Sequence, residues 1–154
     1  MRRIEKKITD KQIIEEILQY ADICRIAIMD GSLPYIVPLN YGYKNGIFYF
    51  HSAKDGRKIE LLKKNNRVCF EVEDDYEILK DKKACKWGLK YRSVIGYGTV
   101  EFLENKDEKI FGLDVLMEKY GSSNNFYDDA TLEKVYVLKL TIETMTGKKS
   151  GNWD

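Results

Sequence analysis

The sequence has almost no net charge. Its 26 lysines and arginines balance 25 aspartates and glutamates, which leaves a formal charge of +1 at pH 7. A chain without a strong field of either sign is not expected to bind nucleic acid or an anionic membrane through bulk electrostatics. Any anionic ligand must instead be held by a local group of cationic side chains.

Cysteine and histidine are also scarce. The three cysteines, Cys24, Cys69 and Cys85, are an odd number without C-x-x-C spacing, and His51 is the only histidine. This pattern predicts neither a disulfide framework nor a metal site, and it fits a reducing cytoplasm. No apolar run approaches the roughly 18 residues needed to span a bilayer. The start, Met1-Arg2-Arg3, is not followed by the apolar segment of a secretory signal, so we expect a soluble cytoplasmic protein.

Proline is limited to two residues, whereas the sequence contains eleven tyrosines and six phenylalanines. Aromatic and β-branched residues in short runs favour pleated, half-buried surfaces. With 44% apolar residues and no linker-like stretch, residues 1–154 are expected to form one domain. The predicted fold class is mainly β, a closed or split β-barrel with peripheral helices.

Hydrophobic periodicity predicts about six strands and three helices. Thr9 and Gln12 form a candidate capping box for the first helix, and Asn105 begins the third. Asn45-Gly46 predicts a hairpin that makes residues 35–41 and 47–51 antiparallel neighbours, with one irregular point at Pro38. Gly96 and Gly98 predict a bulge or a close approach within a long strand. Residues 73–86 are expected to be a surface connection, and residues 144–154 a polar tail.

One segment between a predicted strand end and a helix start concentrates polar chemistry. It is residues 51–58, His-Ser-Ala-Lys-Asp-Gly-Arg-Lys. Backbone N–H groups at a helix start attract anions, Arg57 offers a forked donor and Lys58 a point charge, so a phosphate site is one interpretation. The other is a basic, solvated turn. His51 is a candidate hydrogen-bond donor or proton carrier, although a lone histidine is more often structural.

Several motifs of catalysis and nucleotide binding are missing. The sequence has no G-x-S-x-G elbow, which disfavours a serine hydrolase, and no P-loop. Gly96-Tyr97-Gly98 is followed by Glu101 where a dinucleotide-binding fingerprint has its third glycine. Any catalytic or ligand-binding site of this protein must therefore use a different motif.

Several blocks, taken in order, resemble one flavoprotein family. The blocks are Pro34–Tyr43, Asn45-Gly46, Phe48–Ala53, Gly56–Lys58, and then Ala84–Trp87 with Tyr91–Gly98. Together they are similar to the nitroimidazole-resistance (Nim) branch of the pyridoxamine 5′-phosphate oxidase-like, FMN-binding split-barrel proteins. The resemblance covers about residues 8–148, nearly the whole chain.

The resemblance implies FMN at a homodimer interface and assigns roles to matching residues. The strand from Tyr35 to Asn40 would run along the flavin ring, and because Pro38 has no N–H its neighbours would donate to the polar edge of the ring. Arg57 and Lys58 would hold the phosphate, and Lys148 would reach a flavin, across the dimer in one version. The implied cofactor-binding residues are Tyr35, Val37, Pro38, Leu39, Asn40, His51, Ser52, Ala53, Arg57, Lys58, Ser93 and Lys148.

The implied activity is that of an FMN-dependent oxidoreductase. It would reduce a small molecule, with a nitroaromatic or nitroimidazole and the reductant NAD(P)H as candidates and His51 as the candidate catalytic residue. The chain lacks an equivalent of the C-terminal substrate segment of true pyridoxamine phosphate oxidases, which disfavours vitamin B6 oxidation. Two alternatives stay open: a flavin-binding stress protein without turnover, and a split-barrel member that binds haem or a deazaflavin. Haem would use His51 as its axial ligand.

Overall fold

The structure, a computed structural model, describes residues 3–153; Met1, Arg2 and Asp154 lie outside the described residues. The strands are β1 (Lys7–Ile8), β2 (Cys24–Asp30), β3 (Leu33–Leu39), β4 (Gly42–Lys44), β5 (Ile47–Ala53), β6 (Arg67–Leu79), β7 (Gly88–Phe102) and β8 (Val135–Ser150). The helices are α1 (Lys11–Tyr20), α2 (Arg57–Lys64), α3 (Lys106–Lys119) and α4 (Asp129–Lys134).

All strands belong to one antiparallel sheet with the order β3-β2-β6-β7-β8-β5-β4, and β1 adds to β8. Strands β3 and β4 are consecutive in the chain but lie at opposite ends of this order. The sheet therefore curls without closing its hydrogen-bond ladder between them. This is the split barrel that the sequence predicted, with mostly β structure and peripheral helices.

Strand alternation places the core inside the curled sheet. On β2, Cys24, Ile26 and Ile28 are buried, whereas the intervening residues are half-buried or exposed. The interior is filled by aromatic rings from the β4–β5 hairpin, among them Phe48, which meets Phe70 edge to face at 5.0 Å between centroids. A smaller apolar cluster lies under α3 and α4. This core fixes the barrel wall on which the site is built.

Two glycines on β7 allow close approach of β8. A Cβ placed at Gly96 would lie 2.4 Å from the carbonyl oxygen of Thr144, and one at Gly98 would lie 2.3 Å from that of Thr141. The register between the two strands shifts between Tyr97 and Gly98. The predicted bulge and close approach are confirmed.

Several predicted boundaries are wrong. The carboxylate of Asp10, not Thr9, caps α1 by accepting from the Gln12 N–H at 2.8 Å. Strand β3 pairs with β2 in an unbroken ladder through Pro38, so Pro38 makes no irregular point, and β4 rather than β3 pairs with β5. As an edge strand, β3 tolerates proline because the missing N–H faces away from its single partner.

Two long strands continue where loops were expected. Strand β6 runs on to Leu79 and β8 to Ser150, and both pair with the first half of β7. Acidic residues are poor strand formers, but Arg92 of β7 holds Asp74 of β6 through two hydrogen bonds of 3.1 and 2.5 Å. Cross-strand pairing thus overrides local propensity. The short helix α4 was also missed.

Across residues 3–153, no helix has both the length and the apolar character needed to cross a membrane.

Candidate functional site

A cavity of about 450 Å³ lies at the split of the barrel, between β3, the end of β5 and the start of α2. The cavity exists because β5 extends beyond β4. Strand β4 pairs with β5 only as far as Tyr49, and no strand of the described chain pairs with that edge of residues 50–53. Ser52 is buried, whereas His51 is exposed. The lining residues are Tyr35, Val37, His51, Ser52, Ala53, Asp55, Gly56, Arg57 and Lys58.

The start of α2 opens into this cavity. Gly56 is its N-cap, with φ +111° and ψ 161°, and has no side chain to accept from the first-turn N–H groups. Its carbonyl accepts from Ile59 and Glu60. The N–H groups of Arg57 and Lys58, like those at any helix start, have no partner within the helix. A side-chain-free helix start of this kind suits an anion.

Arg57 is held at the mouth of the cavity from two sides. Its guanidinium donates from Nε and Nη2 to the same carboxylate oxygen of Asp30, and its central carbon lies 4.9 Å from the centroid of the Tyr35 ring. The hydrogen bond to Asp30 raises the pKa of Arg57 above its usual value. The side chain nevertheless remains 62% exposed, so it can still meet a ligand.

Lys58 carries a charge that the protein does not neutralise. The residue is half-buried, and loss of hydration lowers the pKa of its ammonium group. Among residues 3–153, no carboxylate oxygen lies within 4.0 Å of its Nζ, whereas the Arg57 charge is paired with Asp30. A partly desolvated cation without a counter-ion is stabilised by an anionic ligand.

The structure brings together seven of the twelve predicted site residues in this cavity. These are Tyr35, Val37, His51, Ser52, Ala53, Arg57 and Lys58. Pro38 and Leu39 end β3 and Asn40 follows it, and none of the three lines the cavity; Pro38 and Asn40 are exposed, and Leu39 packs against the core. The expectation that the neighbours of Pro38 donate to the flavin is wrong, because Val37 and Leu39 pair with Ile26 and Cys24 and direct their N–H groups to β2. Sequence reasoning missed Asp30, the last residue of β2, because it is far in sequence from the segment of residues 51–58.

Ser93 and Lys148 lie elsewhere in the chain. They face each other across β7 and β8, and the Lys148 Nζ donates to the Tyr91 hydroxyl at 2.7 Å. Val137 of β8 pairs with His51, which lines the cavity. Lys148 lies roughly eleven residues further along β8, a distance of up to about 36 Å in an extended strand. Within one chain they are separate from the cavity, so their role as cofactor contacts stays a prediction.

A larger cavity of about 610 Å³ lies beside the β6–β7 ladder and contains none of the predicted residues. Its two arginines are already neutralised: Arg25 pairs with Glu71 and Glu73, and Arg92 with Asp74 and Asp75. Among the described residues, this cavity has no lining cation without a carboxylate partner, whereas the cavity at the split has Lys58. The cavity at the split is therefore the better candidate for an anionic ligand.

Comparison with known proteins gives the family. The family model for pyridoxamine 5′-phosphate oxidase matches residues 10–149. Among solved structures, a candidate 5-nitroimidazole antibiotic resistance protein from Bacteroides thetaiotaomicron is 38% identical, with 93% of this chain and 86% of that chain covered and a TM-score of 0.84.

Two more distant structures share the fold. The FAD and haem binding protein from Mycobacterium smegmatis is 17% identical, over 96% of this chain and 75% of that chain, with a TM-score of 0.85. The flavocytochrome Anf3 from Azotobacter vinelandii is also 17% identical, over 99% and 72%, with a TM-score of 0.83. No curated protein matches the chain.

Proposed function

This chain belongs to the pyridoxamine 5′-phosphate oxidase-like split-barrel family, in its nitroimidazole-resistance-related branch, and we propose that it is an FMN-dependent oxidoreductase acting on a small molecule. The observation that supports it best is Lys58, an unneutralised cation beside Arg57 at an open helix start. The similarity to a nitroimidazole-resistance protein makes a nitroaromatic the leading candidate substrate.

The phosphate of FMN fits the start of α2. Arg57 and Lys58 supply two cationic side chains, the first-turn N–H groups supply donors, and Ser52 adds a hydroxyl at the buried side of the cavity. Gly56 leaves this cradle free of any side chain, and no heavy atom lies within 4 Å of where a Cβ would stand. The residues present therefore suit a phosphomonoester.

The flavin ring would lie along the open edge of β3. Tyr35 and Val37 give that side of the cavity an apolar and aromatic lining, which suits a flat heterocycle. Bound FMN would supply the electron or hydride transfer, and the protein would orient its ring and limit access to it. His51, exposed at the end of β5 in the same cavity, is placed to donate a hydrogen bond or a proton to a substrate above the ring.

We also propose that two copies of the chain cover each other's outer sheet face. We use "outer sheet face" for the exposed side of β3, β2, β6 and β7, whose register aligns Ile36 with Ala27, Cys69 and Tyr97 in one row. Ile36, Ile95 and Tyr97 are 61%, 48% and 57% exposed there. Apolar residues in such a contiguous patch are typical of an interface.

The same face carries Ser93 and Lys148, two of the five predicted residues that the cavity leaves out. Ser93 lies two positions from Ile95 on β7 and therefore shares its face, and Lys148 is the partner of Ser93 on β8. A second copy on this face would bring its own Lys148 toward β3 of the first, whereas Ser93 is 6% exposed and is buried within its own chain. This arrangement supports the predicted cofactor contact across a homodimer.

The direct test is to record the visible spectrum of the purified protein and to identify the released chromophore against FMN, FAD and haem standards. Flavin absorption bands and released FMN are expected, followed by bleaching with NADPH or NADH and reoxidation by a nitroaromatic. No bleaching with either donor would favour the non-catalytic flavin-binding alternative. A haem spectrum that is lost in His51→Ala would favour the haem alternative.

Charge reversal tests the placement of the phosphate. The double variant Arg57→Glu with Lys58→Glu is expected to purify without FMN and to keep its far-UV circular dichroism spectrum, because neither side chain belongs to the core and acidic residues are favourable in the first turn of a helix. Each charge-assisted hydrogen bond lost costs about 1.5–3 kcal/mol, so the dissociation constant should rise at least about tenfold. Unchanged FMN occupancy would show that the phosphate lies elsewhere.

A further inference from the structure

We propose that Asp30 is a positioning residue that aims Arg57 at the flavin phosphate and so strengthens the preference for a phosphorylated over an unphosphorylated flavin. This inference rests on the proposed function. Asp30 lies at the end of β2, outside the segment of residues 51–58, and does not itself line the cavity.

The geometry of the ion pair leaves one edge of the guanidinium free. Arg57 donates to Asp30 from Nε, at 2.9 Å, and from Nη2. An arginine has five N–H donors in a planar fork, so both donors of Nη1 and one of Nη2 stay available. These form the second edge of the fork, which matches a phosphate in a bidentate manner.

Tyr35 restricts the same guanidinium in a second direction. The ring lies against the guanidinium carbon at 4.9 Å from its centroid, at a distance typical of cation–π contact. Asp30 fixes the in-plane orientation, and Tyr35 fixes the plane. An exposed arginine held in both ways loses less side-chain entropy when it binds a ligand.

A purely electrostatic role of Asp30 would change the FMN affinity in the opposite direction. A carboxylate near the site repels a phosphate dianion, so a purely electrostatic role predicts tighter FMN binding when Asp30 is neutralised. Orientation predicts weaker binding. The two roles are therefore separated by the direction of the change.

The test compares FMN with riboflavin, which lacks the phosphate, by fluorescence titration of the protein stripped of cofactor. Asp30→Asn is expected to raise the dissociation constant of FMN about two- to five-fold, the range for an exposed ion pair, and to leave riboflavin unchanged. Asp30→Glu, which keeps the carboxylate, should restore most of the FMN affinity. Glu143→Gln is the matched control, because it removes the β8 carboxylate of a similar exposed ion pair, which Glu143 makes with Arg67 of β6.

A double-mutant cycle separates positioning from a general structural effect. In the Arg57→Gln background, Asp30→Asn should have no further effect on FMN, because no guanidinium is left to orient. If Asp30→Asn weakens FMN equally in both backgrounds, or tightens FMN, the positioning role is wrong and the proposed function stands. If the wild type binds FMN no better than riboflavin, the proposed phosphate site itself is wrong. Circular dichroism of each variant confirms that it is folded.

Discussion

Replacing Gly56 with alanine tests the helix start and the phosphate site at the same time. Gly56 has φ +111° and ψ 161°, a region of backbone conformation that is essentially restricted to glycine. No heavy atom lies within 4 Å of the position that a Cβ would take, so any effect comes from backbone strain and not from a steric clash. Relief of this strain must rotate the first turn of α2.

The expected loss of stability follows from two opposing contributions. A non-glycine residue in this region costs about 1–3 kcal/mol. Alanine also restricts the unfolded chain, which returns about 0.4–1 kcal/mol. The free energy of unfolding should therefore fall by up to about 2.5 kcal/mol without ligand, and by about 1–3 kcal/mol relative to a glycine-to-alanine change at an unstrained position. If the first-turn N–H groups also move away from the phosphate, each tenfold loss of FMN affinity removes about 1.4 kcal/mol of the stabilisation that saturating FMN provides.

The assay is urea unfolding followed by circular dichroism, with and without FMN. Gly88→Ala is the matched control, because Gly88 also has open space around its Cβ position but no positive φ. It is expected to be neutral or slightly stabilising. If Gly56→Ala is as stable as Gly88→Ala, the strain argument is refuted. If it is destabilised but FMN stabilises it as much as it stabilises the wild type, the start of α2 does not bind the phosphate.

Four further outcomes are expected. Ile95→Glu places a charge on the outer sheet face and should give a monomer with reduced FMN content by size-exclusion chromatography; a flavin-loaded dimer would contradict the proposed interface. Tyr41→Phe removes the buried donor to the Leu18 carbonyl, at 2.8 Å, and should cost about 1–3 kcal/mol in urea unfolding without changing FMN affinity. Burial lowers the pKa of Lys119 to about 8, so between pH 8 and about 10.4 this lysine is protonated in the unfolded chain but neutral in the folded one. The free energy of unfolding of the wild type should therefore rise over this range relative to Lys119→Met. Gly98→Ala brings its Cβ against a carbonyl oxygen of β8 and should lower the free energy of unfolding by about 1–3 kcal/mol or more, measured in the same way.

The sequence was sufficient for features that depend on local patterns. Alternation on β2 and the Asn45-Gly46 hairpin predicted strand faces and a turn correctly, and Asn105 caps α3 by accepting from two first-turn N–H groups. The segment of residues 51–58 was also singled out as one unit, and all of it except Lys54 lines one cavity, because its residues are adjacent in the chain. These features need no knowledge of the tertiary structure.

Features that depend on distant pairing were not predictable in the same way. The acidic half of β6 is a strand because β7 lies beside it and Arg92 neutralises Asp74, and neither fact is visible in residues 73–79 alone. Asp30 contacts Arg57 across 27 positions of sequence, so its place beside the site appears only in the fold. The edge position of β3 likewise follows from the complete strand order.

The two prolines of β3 explain why the barrel is open beside the cavity. Pro34 and Pro38 pair with Met29 and Arg25 in an uninterrupted ladder, so their missing N–H groups face the open edge and not β2. Ile36 has the same orientation, and its N–H is the one donor between them on that edge. An edge so poor in donors cannot form a regular ladder with the free end of β5. The barrel therefore stays open at this point, and the cavity with Arg57 and Lys58 occupies the gap.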